Sequence, residues 1–228
     1  MIRAFAFIAL SLSFGSASAL QLTSFITGAD MAGMQVTATF VGGGSETATW
    51  VTTSTDGSIA DDEGFAGAAS GTGWTLSQRG DTLGGNNAAG AVLGLWTLAN
   101  DSGLGLVSIV IDALAANVVF DILGYQLNPA DINEYTPGSN VGRGFQTANG
   151  PNFDALVASY DNLVSDPDLY GRLTINFAAT TPGSLASGSE LQFLADTDKI
   201  PVPAPVLLMA LGSLGLGLRS RFQARACV

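Results

Sequence analysis

Residues 35–40 read QVTATF, with Val36, Ala38 and Phe40 alternating with Gln35, Thr37 and Thr39. Successive side chains of an extended strand point to opposite faces, so a period of two puts the apolar groups on one side and the polar groups on the other, as in a half-buried strand. The alternation recurs elsewhere. Ala48 and Trp50 alternate with Thr47 and Thr49, and Leu173, Ile175 and Phe177 alternate with Arg172, Thr174 and Asn176. Residues 106–111 and 118–123 are more continuously apolar and end near Asp112 and Gly124, which predicts central strands covered on both faces. Further strands are predicted over 73–77, 93–98, 156–161 and 190–195.

Turn chemistry separates these segments: GGGS from Gly42, GDTLGGNN from Gly80, NDSG from Asn100, NPAD from Asn128, and TPGS from both Thr136 and Thr181. Short helical turns capped by Asp or Asn are predicted at 129–133 and 152–155. No unit recurs at fixed period, so a solenoid or propeller is not indicated. Many short strands between tight turns predict an all-β fold, an antiparallel β-sandwich of jelly-roll-like form.

The two ends read differently. Residues 1–19, MIRAFAFIALSLSFGSASA, carry one charge at Arg3, an apolar stretch from Ala4 to Phe14, and Ala17 and Ala19 around Ser18, the pattern of a signal helix cleaved before Leu20 by signal peptidase. At the other end, residues 200–228 open with prolines at 201, 203 and 205, continue through an apolar run at 206–218, and finish with Arg219, Arg221 and Arg225. At 1.5 Å per residue the run spans about 20 Å as a helix, short against a hydrocarbon core of about 30 Å. The prolines favour an extended lead-in, and the arginines act as a membrane stop that holds the terminus in the cytoplasm. The sequence therefore divides into a signal peptide (1–19), an exported β domain (20–199) and a tail (200–228) with a short hydrophobic helix.

Charge and composition exclude several functions. All 19 acidic residues fall between Asp30 and Asp198, whereas Arg79, Arg143, Arg172 and Lys199 are the only basic residues of 20–199, giving that segment a formal charge of −15. Such a surface repels phosphate backbones, so nucleic acid is not an expected partner. The chain has no His, which removes Ser-His-Asp and Cys-His catalysis and His-ligated zinc. The lone Cys227 precludes an internal disulfide and has no partner residues around it.

Carboxylates remain. Asp61 and Asp62 in ADDEG, Asp166 and Asp168 in SDPDL, and Asp196 and Asp198 in ADTDK form acidic loops. A hard cation such as calcium takes six to eight oxygens, so these six are the candidate calcium ligands, with solvated turn carboxylates as the simpler reading. Paired carboxylates across a cleft would instead make a glycosidase, the least favoured reading. Trp50, Trp74, Trp96, Tyr125, Tyr160 and Tyr170 are a candidate sugar-stacking face, although aromatics on strands more often pack in the core.

The tail motif Ile200, Pro201, Val202, Pro203 and Ala204, followed by the apolar run and arginines, resembles the VPLPA variant of the PEP-CTERM class of bacterial sorting tails, with Ile200 at the first valine and Val202 at the leucine. The family has one compact terminal arginine cluster; here the arginines are spread and followed by Ala226, Cys227 and Val228. The strings TGADMAGMQVTATF, GWTLSQRGDTLG, VSIVIDALAANVVFDIL, LYGRLTINF and LQFLADTD are similar to those of exported domains that often carry such tails. The resemblance implies transient membrane anchoring, an exosortase-type sorting protease that cuts near the prolines, and a surface or matrix role beside exopolysaccharide. The expected function is thus a non-enzymatic exported surface protein, with a calcium-assisted carbohydrate-binding module as the alternative.

Overall fold

The computed structural model describes residues 26–55, 64–86, 92–122, 142–149, 156–164, 169–180 and 183–200. Its strands, in chain order, are β1 (Gln35–Phe40), β2 (Ser45–Thr49), β3 (Val51–Thr55), β4 (Phe65–Gly71) and β5 (Trp74–Arg79). A small ribbon, β6 (Gly85–Asn86) and β7 (Val92–Leu93), leads to β8 (Trp96–Asn100), β9 (Leu106–Asp112) and β10 (Val118–Asp121). The remainder are β11 (Gln146–Asn149), β12 (Val157–Leu163), β13 (Leu169–Asn176), β14 (Ser189–Leu194) and β15 (Thr197–Lys199). Every named pair is antiparallel. The all-β expectation holds.

Two sheets face each other. The first runs β15-β10-β13-β9-β1-β2 with β12 added on β13; the second runs β11-β14-β8-β5-β4-β3. Register explains the branch in the first. Arg172 of β13 lies between Asp112 of β9 and Asp161 of β12, and Tyr170 lies between Phe120 of β10 and Leu163 of β12. One edge of β13 is therefore shared end to end by β9 and β10, which act as one long strand interrupted by a 3₁₀ turn at Leu114–Ala116. That turn closes on Asn117 in the left-handed conformation, a position Asn tolerates better than most residues.

The alternation that marks β1 buries Val36, Ala38 and Phe40. They meet Ile109, Ile111, Leu173 and Ile175 of the same sheet and Leu76, Leu98, Leu191 and Phe193 of the other in one core. β10 is buried on both faces as the sequence predicts, whereas β9 buries one face and half-buries the other. The predicted turns at Gly42 and Asn100 fall between β1 and β2 and between β8 and β9. The short helical turns predicted at 129–133 and 152–155 lie outside the described residues.

Five segments were not predicted as strands: β3, β4, β11, β15 and the β6–β7 ribbon. β4 (FAGAASG) has almost no large apolar side chain, so its sequence carries no strand alternation. The structure supplies the missing bulk from elsewhere. A side chain at Gly67 would collide with the Trp50 indole and the Gly28 carbonyl, so the strand is built small to let a neighbouring ring fill the layer.

Candidate functional site

Of the six candidate calcium ligands, Asp61, Asp62, Asp166 and Asp168 lie outside the described residues, as do Pro201, Val202, Pro203, Ala204, Arg219, Arg221, Arg225 and Tyr125. Ile200 closes the described chain. Asp196 and Asp198 are described, and they correct the reading of ADTDK as a solvated turn: both are buried, in and just before β15.

The backbone shows why they are inside. β15 pairs with β10 at Val118↔Lys199, Val119↔Asp198 and Phe120↔Thr197, so the acidic string is drawn into the first sheet. Asp196 Oδ1 accepts hydrogen bonds from Thr82 Oγ1 (3.1 Å) and Thr197 N (2.8 Å). The Asp196 amide donates to the Arg143 carbonyl (2.9 Å), and the Asp121 amide donates to the Asp196 carbonyl (3.2 Å). Asp81, Asp121 and Arg143 are buried here too, bringing residues from four separated parts of the chain together.

Burial, then the charges of Asp198, Asp81 and Asp121, push the Asp196 carboxyl well above its ordinary range. Burial also pushes the Tyr160 phenol up, with the Asp196 charge adding to the effect. Its oxygen accepts the Phe145 amide at 2.7 Å. Among the described residues, no three acidic or thiol side chains converge in a geometry that would hold a metal ion. Sequence reading found Asp196 and Asp198 as acids but missed Asp81, Asp121 and Arg143. Their signal is faint: Asp121 interrupts an otherwise apolar run, VVFDIL.

The proposed sugar-stacking face is corrected for the tryptophans. Trp50, Trp74 and Trp96 are all core residues. Trp96 stacks on Phe193 (5.8 Å between centroids) and donates its indole N–H to the Ala195 carbonyl (2.9 Å). Trp50 donates to Gly28 O (2.8 Å), and Trp74 to Glu46 Oε2 (3.0 Å). Buried indoles need such partners, and each has one. Tyr160 and Tyr170 are half-buried and lie against each other at 5.7 Å.

An open groove of about 380 Å³ lies on the outer face of the second sheet. Its lining includes Thr53, Ala66, Ser77, Arg79 and Thr97, with Val92, Leu93 and Leu95 from the β7 side. The registers place Thr97 opposite Ser77 and Arg79 opposite Ala66. Gly94 sets the β7 wall. Its φ of +72° suits glycine, and a side chain there would strike the Asp81 carbonyl. The buried Gln78 amide fixes the same segment by donating to Gly80 O (3.1 Å) and Gly94 O (3.4 Å).

No family model, curated protein or solved structure matches this chain. Among the described residues no helix is long and apolar enough to cross a membrane.

Proposed function

We propose that this chain is a non-enzymatic exported protein, delivered to the cell surface or extracellular polysaccharide matrix by its C-terminal tail. In this reading a jelly-roll-like sandwich lies between a signal helix removed by signal peptidase and a short hydrophobic helix. An exosortase-type protease acts at Ile200–Ala204 while Arg219, Arg221 and Arg225 hold the end at the membrane. The carrying observation is the order of segments: signal peptide, strand-rich body, proline motif, apolar run, arginines.

The end of the body supports it. The Ile200 amide donates to Asn117 O (2.8 Å), and the next residue is Pro201, which has no amide hydrogen to extend the ladder. The last described contact of the ladder thus falls at the first residue of the proposed motif.

The test is a Pro201→Ala, Pro203→Ala variant followed by cell fractionation. The variant is expected to accumulate uncleaved in membranes while the parent reaches surface and medium. Normal release of the variant would overturn sorting through the motif. The carbohydrate-binding alternative draws its support from the groove; calcium held by the acidic loops belongs to that alternative.

A further inference from the structure

We propose that the groove across β4, β5 and β8 binds an acidic saccharide, with Arg79 receiving a sugar carboxylate and Ser77 and Thr97 bonding sugar hydroxyls. The choice of a saccharide rests on the surface-matrix reading above; the groove and its arginine stand without it.

Arg79 differs from the other cations of the body. Arg143 is buried beside the carboxylates, Arg172 pairs with Asp112 (3.4 Å) and Asp161 (3.6 Å), and Lys199 donates to the Asp30 carbonyl (3.3 Å). The Arg79 side chain is exposed and makes no ion pair or hydrogen bond with any described residue, in a segment with 19 acids and four bases. Exposure alone would say little, since a guanidinium is at ease in water. Its position carries the argument.

The groove volume falls within the range of about 300–1,000 Å³ typical of small-ligand sites. Ser77 and Thr97 are cross-strand neighbours, roughly 5 Å apart, and Arg79 stands two residues along β5 from Ser77, roughly 7 Å away on the same face. Small Ala66 between the β7 wall and Thr53 leaves room for a ring above the sheet. Two hydroxyls beside one guanidinium match a ligand rich in hydroxyls that carries a planar anion. A carboxylate accepts both N–H groups of the guanidinium fork, which an alcohol cannot do.

The body's charge of −15 opposes any anion at long range. Exposed charges are screened beyond about 8 Å in physiological salt, and among the described residues no carboxylate lines the groove. The balance favours a sparsely charged chain with one carboxylate at Arg79 over a dense polyanion.

The full-length chain, purified in mild detergent, should be titrated calorimetrically with an oligogalacturonide, its methyl ester and dextran sulfate. The oligogalacturonide is expected to bind. Esterification and Arg79→Gln should each weaken binding about tenfold or more, equivalent to about 1.4 kcal/mol. Arg79→Lys should fall between, because an ammonium lacks the fork, and Ser77→Ala with Thr97→Val should weaken binding further. Failure of the parent to bind, equal binding of the ester, no effect of Arg79→Gln, or equal Arg79-dependent binding of dextran sulfate would each overturn the proposal. Binding needs no tail cleavage: normal sorting without binding sinks this inference alone, and binding without sorting sinks only the sorting reading.

Discussion

Asp196 and Glu46 show how two ordinary carboxylates become opposites. Glu46 accepts hydrogen bonds from the Thr72 amide (2.9 and 3.1 Å), the Thr72 hydroxyl (3.2 Å) and the Trp74 indole (3.0 Å), and the Thr72 amide leads in holding its pKa low. Its contribution to stability is present above its unfolded pKa and is lost as pH falls through the folded one. Asp196 runs the other way. Its folded pKa is raised, so the folded chain holds that proton more tightly than the unfolded chain. Stability contributed by the protonated form is lost as pH climbs from the ordinary value of 3.8 through the folded pKa. Asp196→Asn keeps an acceptor for Thr82 and Thr197 while removing the charge. It is expected to raise the melting temperature at about pH 7, by about 2–4 °C for each kcal/mol recovered, and to flatten the decline from acid to neutral pH. Thermal melts across that range check this; a variant with the parent's pH slope would contradict it. In the sequence both residues look like surface acids. What separates them is which backbone amides and carboxylates arrive from distant segments, and no local pattern encodes that.

Among the elements, those with large alternating apolar residues were legible: β1 and β9 were predicted close to their observed limits, and β13 from Arg172 onward. β4 was not, because its layer is filled by the Trp50 and Trp74 rings lying over glycines 67 and 71. β15 escaped for another reason. ADTDK has no apolar alternation, yet Thr197 and Asp198 are buried because β15 pairs with the fully buried β10. β15 is also the last described strand. Chains terminated after Ile200 are expected to unfold cooperatively near the parent's midpoint. Chains terminated after Ala195 lose the pairing of Val118–Phe120 and the Asp196 hydrogen bonds, and should be destabilised by about 2–5 kcal/mol, a typical cost of breaking a buried network. Urea titrations measure this directly; equal midpoints for the two truncations would remove β15 from the fold's support.

At the scale of the whole molecule, the sequence made the all-β class readable through turn spacing and alternation. The candidate site was less so. The acidic loops were legible as composition, but the gathering of Asp81, Asp121, Asp196 and Asp198 depends on sheet topology, and the groove on small residues whose importance lies in what they leave empty. In the proposed reading the ends need no topology, since a signal peptide and a sorting tail are read as linear signals. The fate of those ends tests the proposed sorting most directly. Intact-mass analysis of the protein recovered from cell surface and medium is expected to give a chain that begins at Leu20 and lacks Arg219, Arg221 and Arg225, with its C-terminus near the proline motif. A mature surface form that retains Arg225 would contradict sorting by cleavage.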